Sequence, residues 1–402
     1  MFMIEKALVG GRRYWTWTLG LLAVVVVGLL CYFRQLSYGL GITGMSRNIT
    51  WGLYIGQFTF LVGIAASAVM IVLPYYLHNH KEFARMALLG EFLAISAVSM
   101  CALFILVDLG QPSRVLYILL YPTPSSIIFW DVVALGGYLV LNALIALVTL
   151  GAEGKGIAPP AWIKPIILLS IPWAISIHTV TAFLYAGLPG RSFWLTAVLA
   201  PRFLASAFAS GPALLILLCM LLRKLTGYDL GSRAISTLAV IVAYAMIVNV
   251  FFLLMELFTS FYSQIPSLVE HFQIMYTGMQ GPASLLLFLG RLSLVLMAIA
   301  LLLLLIPGAR RNERMLVVAC VVTFLSLWID KGVCLVVCGF VPSPLGAMTR
   351  YVPTLPEVLI SVGVWAVGAL MITVFYKIAL SVRQRPLGSP VEHETTPLPA
   401  AK

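Results

Sequence analysis

The chain has 402 residues, of which 61% are hydrophobic and only 10% are charged, and its formal net charge is +11. Soluble domains carry about 25% charged residues, so this composition excludes a water-soluble globular protein. The positive charge is concentrated in short connections and tails, which indicates membrane topology and anionic lipid as its cause rather than nucleic acid.

The N-terminal segment MFMIEKALVGGRRYWTW is basic and precedes an apolar run. No small-residue cleavage site follows, so we expect a retained first helix rather than a signal peptide. Ten apolar runs reach the length of about 20 residues that crosses a bilayer as a helix. We number them spans 1 to 10 and predict them at 17–33, 52–77, 85–107, 127–150, 163–187, 203–222, 233–262, 284–306, 315–338 and 355–381.

These runs are too long for barrel strands and do not alternate, so the predicted fold is an all-α polytopic membrane protein. Residues 1–385 form the predicted transmembrane domain. Residues 386–402 are rich in Pro, Glu and Thr, which predicts a disordered cytoplasmic tail.

Lysine and arginine are distributed unequally between the two sides of the predicted bundle. Seventeen lie on the side of the termini and of the connections after even-numbered spans, whereas seven lie on the side of the connections after odd-numbered spans, Arg202 among them. The positive-inside rule therefore predicts that both termini are cytoplasmic. The connections on the outer side are longer and rich in Gly, Pro, Ser and Arg, which is typical of loops that hold a ligand or a partner.

Ionisable side chains inside spans are functional candidates, because a charge near the bilayer centre costs about 3 kcal/mol or more. All but one fall in the outer half, and His178 lies roughly 14 Å deep. The outer group, joined by one glutamine, is Gln57, Asp108, Asp131, His178, Glu256, Arg291, Asp330 and Lys331. Only Glu91, in span 3, falls in the inner half.

Two interpretations of this group stay open. Snorkelling and structural ion pairs suffice for Asp330 with Lys331 and for Asp108 with Arg114. They explain the short, deep side chains His178, Asp131 and Glu256 less well, so we predict that these three line a polar cavity. Pro165 and Pro172 of span 5 would free backbone carbonyls near His178, which is tolerated where a helix lines a cavity.

The histidines and cysteines favour no metal centre in this chain. Bis-histidine haem needs paired ligands from facing helices, and His178 is the one histidine inside a predicted span. The six cysteines form no CxxC pair, which disfavours an iron–sulfur cluster and favours a packing role. They are Cys31, Cys101, Cys219, Cys320, Cys334 and Cys338. We therefore expect no haem, no iron–sulfur cluster and no other metal site.

The motif DLGQPSR, followed by PTPSSIIFWDVVALGGYLVLN, resembles the NrfD-like membrane subunits, a superfamily that includes the anchors of polysulfide reductase and related respiratory complexes. The likeness covers about residues 45–380, and the Asp-Leu-Gly-x-Pro turn is its most specific element. GLGITGMSRNITWGLYIGQFTFLVGIAASA, HTVTAFLYAGLPGRSFWLTAVLAPRFLASAFASGPA and DKG…GFVPSPLG are similar above all to the DsrP branch, from the sulfite-reduction-associated DsrMKJOP complex. The HmcC-like and QrcD-like branches are near relatives.

The resemblance implies two four-helix bundles, spans 2–5 and 6–9, flanked by spans 1 and 10, in a prokaryotic cytoplasmic membrane. It implies a menaquinone pocket near the outer face of the first bundle and a ferredoxin-like iron–sulfur subunit docked there. Cytochrome c, cytochrome b and further iron–sulfur subunits are the expected partners in such a complex, which would be linked to sulfur or sulfite metabolism.

The candidate roles divide into four sets. The catalytic candidates are His178, Asp131 and Asp108, with His178 as the base because a neutral imidazole accepts a proton near neutral pH. The quinone-binding candidates are Arg47, Asn48, Trp51, Gln57 and His178, and Arg47 and Asn48 are expected to cap span 2. The proton-path candidates are Glu91, Glu256, Arg291, Asp330 and Lys331, and the docking candidates are Arg47, Arg114, Arg191 and Arg350.

Two functions compete at this stage. The first is a quinone-binding redox subunit that exchanges electrons with an outer iron–sulfur partner. The second is a secondary transporter with a polar cavity near the outer face, since ten spans in two bundles also suit that class. Sparse polarity at the midplane disfavours the transporter, and copurifying redox partners with bound quinone would separate the two.

Overall fold

The computed structural model describes residues 5, 9–77, 81–228, 230–278 and 285–383. The predicted disordered tail, 386–402, lies outside the described residues, as do His78 and His80. The described part of the chain is helical, with irregular connections and no strand.

Ten long helices confirm the ten predicted spans. No water is available in the bilayer core, so the backbone must satisfy its own hydrogen bonds, and a continuous helix does this. Spans 1 to 10 are Arg12–Tyr38, Leu53–Tyr75, Ala84–Asp108, Ile127–Lys155, Ile163–Ala186, Leu199–Thr226, Ser232–Tyr262, Leu285–Leu305, Glu313–Cys338 and Leu355–Arg383.

The spans form the two expected bundles. In the first bundle spans 2, 3, 4 and 5 pack in sequence and span 5 returns to span 2, and spans 6 to 9 close in the same way. Span 2 also packs on spans 6 and 9, so it joins the two bundles. Span 10 packs on span 3, and span 1 packs on span 10 outside both bundles.

The connections fall on two faces. The long-loop face carries residues 39–52, 109–126, 187–198, 263–278 and 339–354, which follow the odd-numbered spans. The opposite short-loop face carries the brief connections after the even-numbered spans. A short helix, Pro266–Tyr276, lies within the fourth connection of the long-loop face.

Spans 2 and 9 depart from regular α-helix. Span 2 contains a tight 3-10 turn at Ala66–Ala68 and a wide π-helical turn at Leu73–Leu77. Pro74 lies in the wide turn and has no N–H to donate, so the regular bonding pattern cannot continue there. Span 9 contains a π-helical turn at Trp328–Cys334, a feature that often marks functional positions.

Arg202 corrects one of our expectations. We placed it in a connection, but span 6 begins at Leu199, so Arg202 lies in its first turn and is buried. Pro201 does not prevent this early start, since proline is tolerated in the first turn, where N–H groups lack helical partners.

Spans 1 and 10 touch through two glycines. A Cβ at Gly28 would lie 2.8 Å from the Cα of Gly363, and a Cβ at Gly363 would lie 2.9 Å from the Cα of Gly28. Helices in lipid associate by such close backbone approach, because there is no hydrophobic driving force between them. Trp17 Nε1 also donates a 3.2 Å hydrogen bond to Thr373 Oγ1 along the same contact.

Replacing Gly28 with leucine should separate span 1 from span 10 and destabilise the purified protein by about 1–3 kcal/mol, the usual cost of overpacking. The matched control is Gly20→Leu, eight residues away on the same helix, where an added Cβ meets nothing within 4 Å. Thermal unfolding in detergent measures both. Equal effects of the two substitutions would contradict the contact.

Candidate functional site

His178 lies deep in the first bundle, on the inner side of span 5. It is eight residues from the end of the span at Ala186, about 12 Å at 1.5 Å per residue. Its side chain is 0% exposed, and neither ring nitrogen has a hydrogen-bond partner among the described residues. Buried polar atoms are normally paired, so two such nitrogens indicate a position suited to a ligand or a proton.

Asp131 and Thr181 form a hydrogen bond between spans 4 and 5. Thr181 Oγ1 donates to Asp131 Oδ1 at 2.7 Å, and both residues are buried. Thr181 lies one helical turn after His178, so the pair is next to the imidazole along span 5. Asp131 therefore does not orient His178 through a direct hydrogen bond.

Asp108 lies at the last position of span 3 and is half-buried, and its Oδ1 has no partner among the described residues. Beside it, Gln35 Nε2 donates to Val107 O at 2.6 Å, and Gln35 Oε1 accepts from Tyr54 Oη at 2.7 Å. The Glu357 carboxylate is within electrostatic range of Asp108. Asp108 therefore lies near the junction of spans 2, 3 and 10, and it makes no hydrogen bond to His178.

Gln57 holds three spans together. Its Oε1 accepts hydrogen bonds from the indole nitrogens of Trp328 at 2.8 Å and Trp365 at 2.9 Å. These tryptophans belong to spans 9 and 10, so Gln57 links both to span 2. Its carbonyl oxygen is thereby occupied within the protein.

Trp51 belongs to an aromatic cluster beneath the long-loop face. We define this cluster as Trp51, Tyr185, Trp194, Phe203 and Phe340. Ring centroids lie 5.3 Å apart for Trp51 and Tyr185, and 5.1 Å apart for Trp194 and Phe340. Its members come from three connections and two spans, so the cluster fixes the loops over the helix ends.

Two cations lie at opposite ends of the aromatic cluster. The Arg191 guanidinium is 4.4 Å from the Phe340 ring centroid, and Lys331 Nζ is 4.4 Å from that of Phe203. Arg191 Nη1 also donates to Phe340 O at 3.3 Å. Burial lowers the pKa of Arg191 from its usual value. The predicted docking residue Arg191 thus packs between loops, whereas Arg47, Arg114 and Arg350 are exposed.

Arg47 and Asn48 do not cap span 2, which corrects our expectation. The span begins at Leu53, whose N–H donates to Tyr351 Oη at 2.6 Å and to Glu357 Oε1 at 3.2 Å. Asn48 Nδ2 instead donates to Thr349 Oγ1 at 3.0 Å and ties two long-loop connections together.

Glu357 is a buried anchor that we did not predict. It accepts hydrogen bonds from the backbone N–H groups of Gly44 at 3.0 Å, Leu53 and Thr354, and from the Tyr351 hydroxyl. It therefore joins span 10 to the start of span 2 and to the first connection. An acidic residue in the first turn of an apolar span was the sequence signal that could have identified it.

Replacing Glu357 with glutamine should loosen the loop at 39–52, because an amide N–H₂ would replace one acceptor oxygen. Backbone donors left unsatisfied cost about 1–3 kcal/mol each. Thermal unfolding and proteolysis of that loop measure the effect. Glu313→Gln is the control, since Glu313 pairs with Arg223 but its side chain is 62% exposed. Equal stability of the two variants would contradict the anchoring role.

The second bundle contains a buried ion triad of Arg202, Glu256 and Asp330. Arg202 Nη2 is 2.7 Å from Asp330 Oδ2, and Arg202 also forms an ion pair with Glu256. The triad links spans 6, 7 and 9. Asp330 therefore pairs with Arg202 and not with its neighbour Lys331, and Arg202 is a site residue that we missed.

Lys331 points from span 9 in a different direction from Asp330. Its Nζ is 3.4 Å from Phe203 O, and no described carboxylate lies within ion-pair distance of it. The π-helical turn holds both charged side chains, and Lys331 Nζ lies 3.3 Å from where a Cβ on Gly63 of span 2 would be. Lys331 thus faces the first bundle and Asp330 faces the second.

Glu91 heads a second group of poorly satisfied polar atoms, deeper towards the short-loop face. Its Oε2 has no partner among the described residues, and the same holds for Ser67 Oγ and Asn142 Oδ1. Asn142 Nδ2 donates to Tyr138 O at 2.7 Å, and Tyr138 is near enough to Glu91 for electrostatic interaction. These residues belong to spans 2, 3 and 4.

Arg291 lies apart from all of these groups. It is exposed, and its Nε donates to Tyr276 O at 2.9 Å, so it caps the short helix Pro266–Tyr276. His271 of that helix has Nδ1 within 2.9 Å of Cys338 O and 2.8 Å of Val341 O. Burial lowers the pKa of His271. Both residues hold the long-loop connections together.

The six cysteines are free, and five are buried, which is consistent with packing. Within the described ranges no group of three or more His, Cys, Asp or Glu side chains could hold a metal ion. The absence of haem and iron–sulfur clusters from this chain stays a prediction.

Comparison with known proteins gives matches over most of the chain. Residues 41–341 match the family described as "Polysulphide reductase, NrfD". The chain is 26% identical to a putative membrane subunit of dimethyl sulfoxide reductase from Halobacterium salinarum, with 90% of this chain and 89% of the relative covered.

Two further relatives have quinones in their names. The "Hdr-like menaquinol oxidoreductase integral membrane subunit" of Archaeoglobus fulgidus is 24% identical, over 66% of this chain and 64% of its own. The "Menaquinone reductase, integral membrane subunit" of Nitratidesulfovibrio vulgaris is 23% identical over 87% of each. The finer likeness to the DsrP branch stays a prediction.

Proposed function

We propose that this chain, which belongs to the NrfD family of membrane subunits, is the quinone-interacting membrane subunit of a respiratory redox complex. The ligand class is menaquinone and menaquinol, because two relatives have names that include these compounds. The observation that carries the proposal is His178, fully buried and with two ring nitrogens free of partners among the described residues.

The chain's own groups suit this chemistry. Oxidation of a quinol releases two electrons and two protons, so a base must lie close to the ring oxygens. His178 is the proposed base, since a neutral imidazole accepts a proton near neutral pH. Thr181 lies one helical turn from His178 on span 5 and donates a hydrogen bond to Asp131, so Asp131 is the proposed next acceptor of the proton. Asp108 lies farther towards span 10 and is the proposed outer proton acceptor.

A site that binds the quinone ring needs mostly apolar walls with a few polar groups. The aromatic cluster supplies flat apolar surfaces beneath the long loops, and Trp51 belongs to it. Gln57 acts in this proposal by fixing span 2, because its carbonyl oxygen already accepts two indole N–H groups. Arg47 and Asn48 belong to the loop above and would contact the ligand only from that side.

Protons would reach or leave this site through buried ionisable residues. Lys331 connects the His178 region to the ion triad, because Lys331 and Asp330 leave the same π-helical turn towards different bundles. Glu91 supplies a separate station towards the short-loop face. We therefore propose, as a second activity of the subunit, that protons move through Glu91, Lys331, Asp330 and Glu256. Arg291 lies outside this set.

Electrons require a partner, proposed to be a ferredoxin-like iron–sulfur subunit on the long-loop face. The face offers exposed Arg47, Arg114 and Arg350, whose guanidinium groups can bind acidic side chains in a bidentate manner. Exposed apolar side chains of the segment 116–121 adjoin Arg114 and would give the contact a hydrophobic core. Cytochrome and further iron–sulfur subunits, and a link to sulfur metabolism, complete the proposed assembly.

The transporter alternative finds no support in the helix geometry. Transporters with two related halves place broken helices at corresponding positions of the halves. The irregular turns of this chain lie in span 2, the first helix of one bundle, and in span 9, the last helix of the other.

Replacing His178 with glutamine should lower menaquinol-analogue oxidation by the purified complex about a hundredfold, the low end for loss of a general base. Glutamine keeps the polarity and approximate size, so the complex should still assemble. Thr179→Val is the control on the same span, because Thr179 is only half-buried and its hydroxyl donates to Ile175 O of its own helix. Near-normal turnover of the assembled His178 variant would move the assignment of the base to Asp131.

The proposed location is the prokaryotic cytoplasmic membrane, with both termini cytoplasmic and the long-loop face outside. A reporter fused after Lys402 should therefore be active only if it is of a type that functions in the cytoplasm. A periplasmic alkaline phosphatase fusion at the same point is the paired control and should be inactive. The reverse pattern would place the partner on the cytoplasmic side.

A further inference from the structure

An apolar cleft opens on the lipid-facing surface between spans 4 and 5. It has a volume of about 340 Å³ and runs along span 5 from Val180 to Leu169, about 16 Å of helix. Trp130 and Val133 line it from span 4, and Trp173 lines it from span 5. The cleft therefore lies within the part of the fold that faces hydrocarbon.

The walls of the cleft are fixed in place. Trp173 Nε1 donates to Ala134 O at 2.8 Å, and Ser176 Oγ donates to Trp173 O at 2.7 Å. A Cβ on Gly137 would lie 2.3 Å from the Trp173 ring, so only glycine lets this indole lie against span 4. These polar groups are satisfied internally, and the cleft offers an apolar ligand a prearranged groove.

The long-loop end of the cleft adjoins the proposed redox site. Asp131 directly follows Trp130, and Thr181 directly follows Val180, and their hydrogen bond joins the two spans behind these wall residues. His178 is 0% exposed and projects from the side of span 5 opposite the cleft, because the two residues from His178 to Val180 turn the helix by about 200°. From the lipid towards the core, the apolar cleft is therefore followed by the Asp131–Thr181 pair and then by the buried imidazole of His178.

We propose that this cleft holds the isoprenoid tail of the quinone and that the Asp131–Thr181 pair is where its head group passes between spans 4 and 5. This rests on the proposed function. The depth of the polar pair selects the occupant, because Asp131 lies four residues inside span 4, about 6 Å. A phospholipid keeps its polar head at the interface, whereas a quinone head can reach a buried hydrogen-bonding group.

A naphthoquinone with a photoreactive diazirine on its prenyl tail tests this assignment. The full chain in detergent micelles free of phospholipid should be labelled at 130–137 and 169–180. Long-tailed menaquinone should compete, and an equal excess of a diacyl phospholipid should not. Labelling at other residues instead of these would overturn the proposal. Equal competition by the phospholipid would also overturn it and would mark the cleft as a lipid site.

A substitution that fills the cleft with a larger side chain provides an independent test in the intact complex. Val133→Trp should raise KM for a long-tailed menaquinol about tenfold, equivalent to about two buried CH₂ groups. KM for tail-less menadiol should stay unchanged, which also verifies folding. Val140→Trp is the matched control on span 4, since Val140 is 66% exposed to the lipid side and lies outside the cleft.

The outcomes separate the two proposals. Equal changes of KM for both substrates with Val133→Trp, or no change for either, would refute the tail assignment alone. Failure of the wild-type complex both to oxidise these quinols and to reduce the corresponding quinones would refute the proposed function itself.

Discussion

The hydrocarbon core of the membrane leaves polar atoms no water to bind, and this constraint shapes every part of the molecule. Backbone groups satisfy it by forming ten helices. Side chains satisfy it in pairs, as Arg202 does with Asp330 and as Gln57 does with two indoles. Unsatisfied buried atoms are costly, and those of His178 and Glu91 are among the few that remain in the described residues, which is why we propose both as positions for a ligand or a proton.

Span 2 is the element that lets two bundles act as one unit. It packs on spans 6 and 9 as well as within its own bundle, and Gln57 extends its contacts to span 10. Glu357 fixes its first N–H group from the far side. Lys331 of span 9 is a charged side chain of the second bundle that points towards span 2, where its Nζ lies 3.3 Å from the position of a Cβ on Gly63.

The proposed site separates three tasks by depth. Loops and aromatic rings on the long-loop face suit partner contact and electron exchange, because they bring flat apolar surfaces and exposed cations together. The Asp131–Thr181 pair and His178 suit proton exchange deeper in the first bundle. The apolar cleft between spans 4 and 5 suits a hydrocarbon tail, because its polar groups are satisfied internally.

The sequence by itself determined the ten spans and the depth of His178, Asp131 and Glu91. The family resemblance predicted the two bundles. Hydrophobic length and the cost of buried charge are local properties, so a single chain read from end to end reveals them. Which charged side chains pair with one another was decided only by the tertiary structure. Asp330 pairs with Arg202 rather than with adjacent Lys331, because successive side chains of a helix point in different directions and span 6 begins earlier than its apolar run suggests. Glu357 and the Trp173 cleft depend likewise on backbones distant in sequence meeting at close range, a geometry that no local pattern specifies.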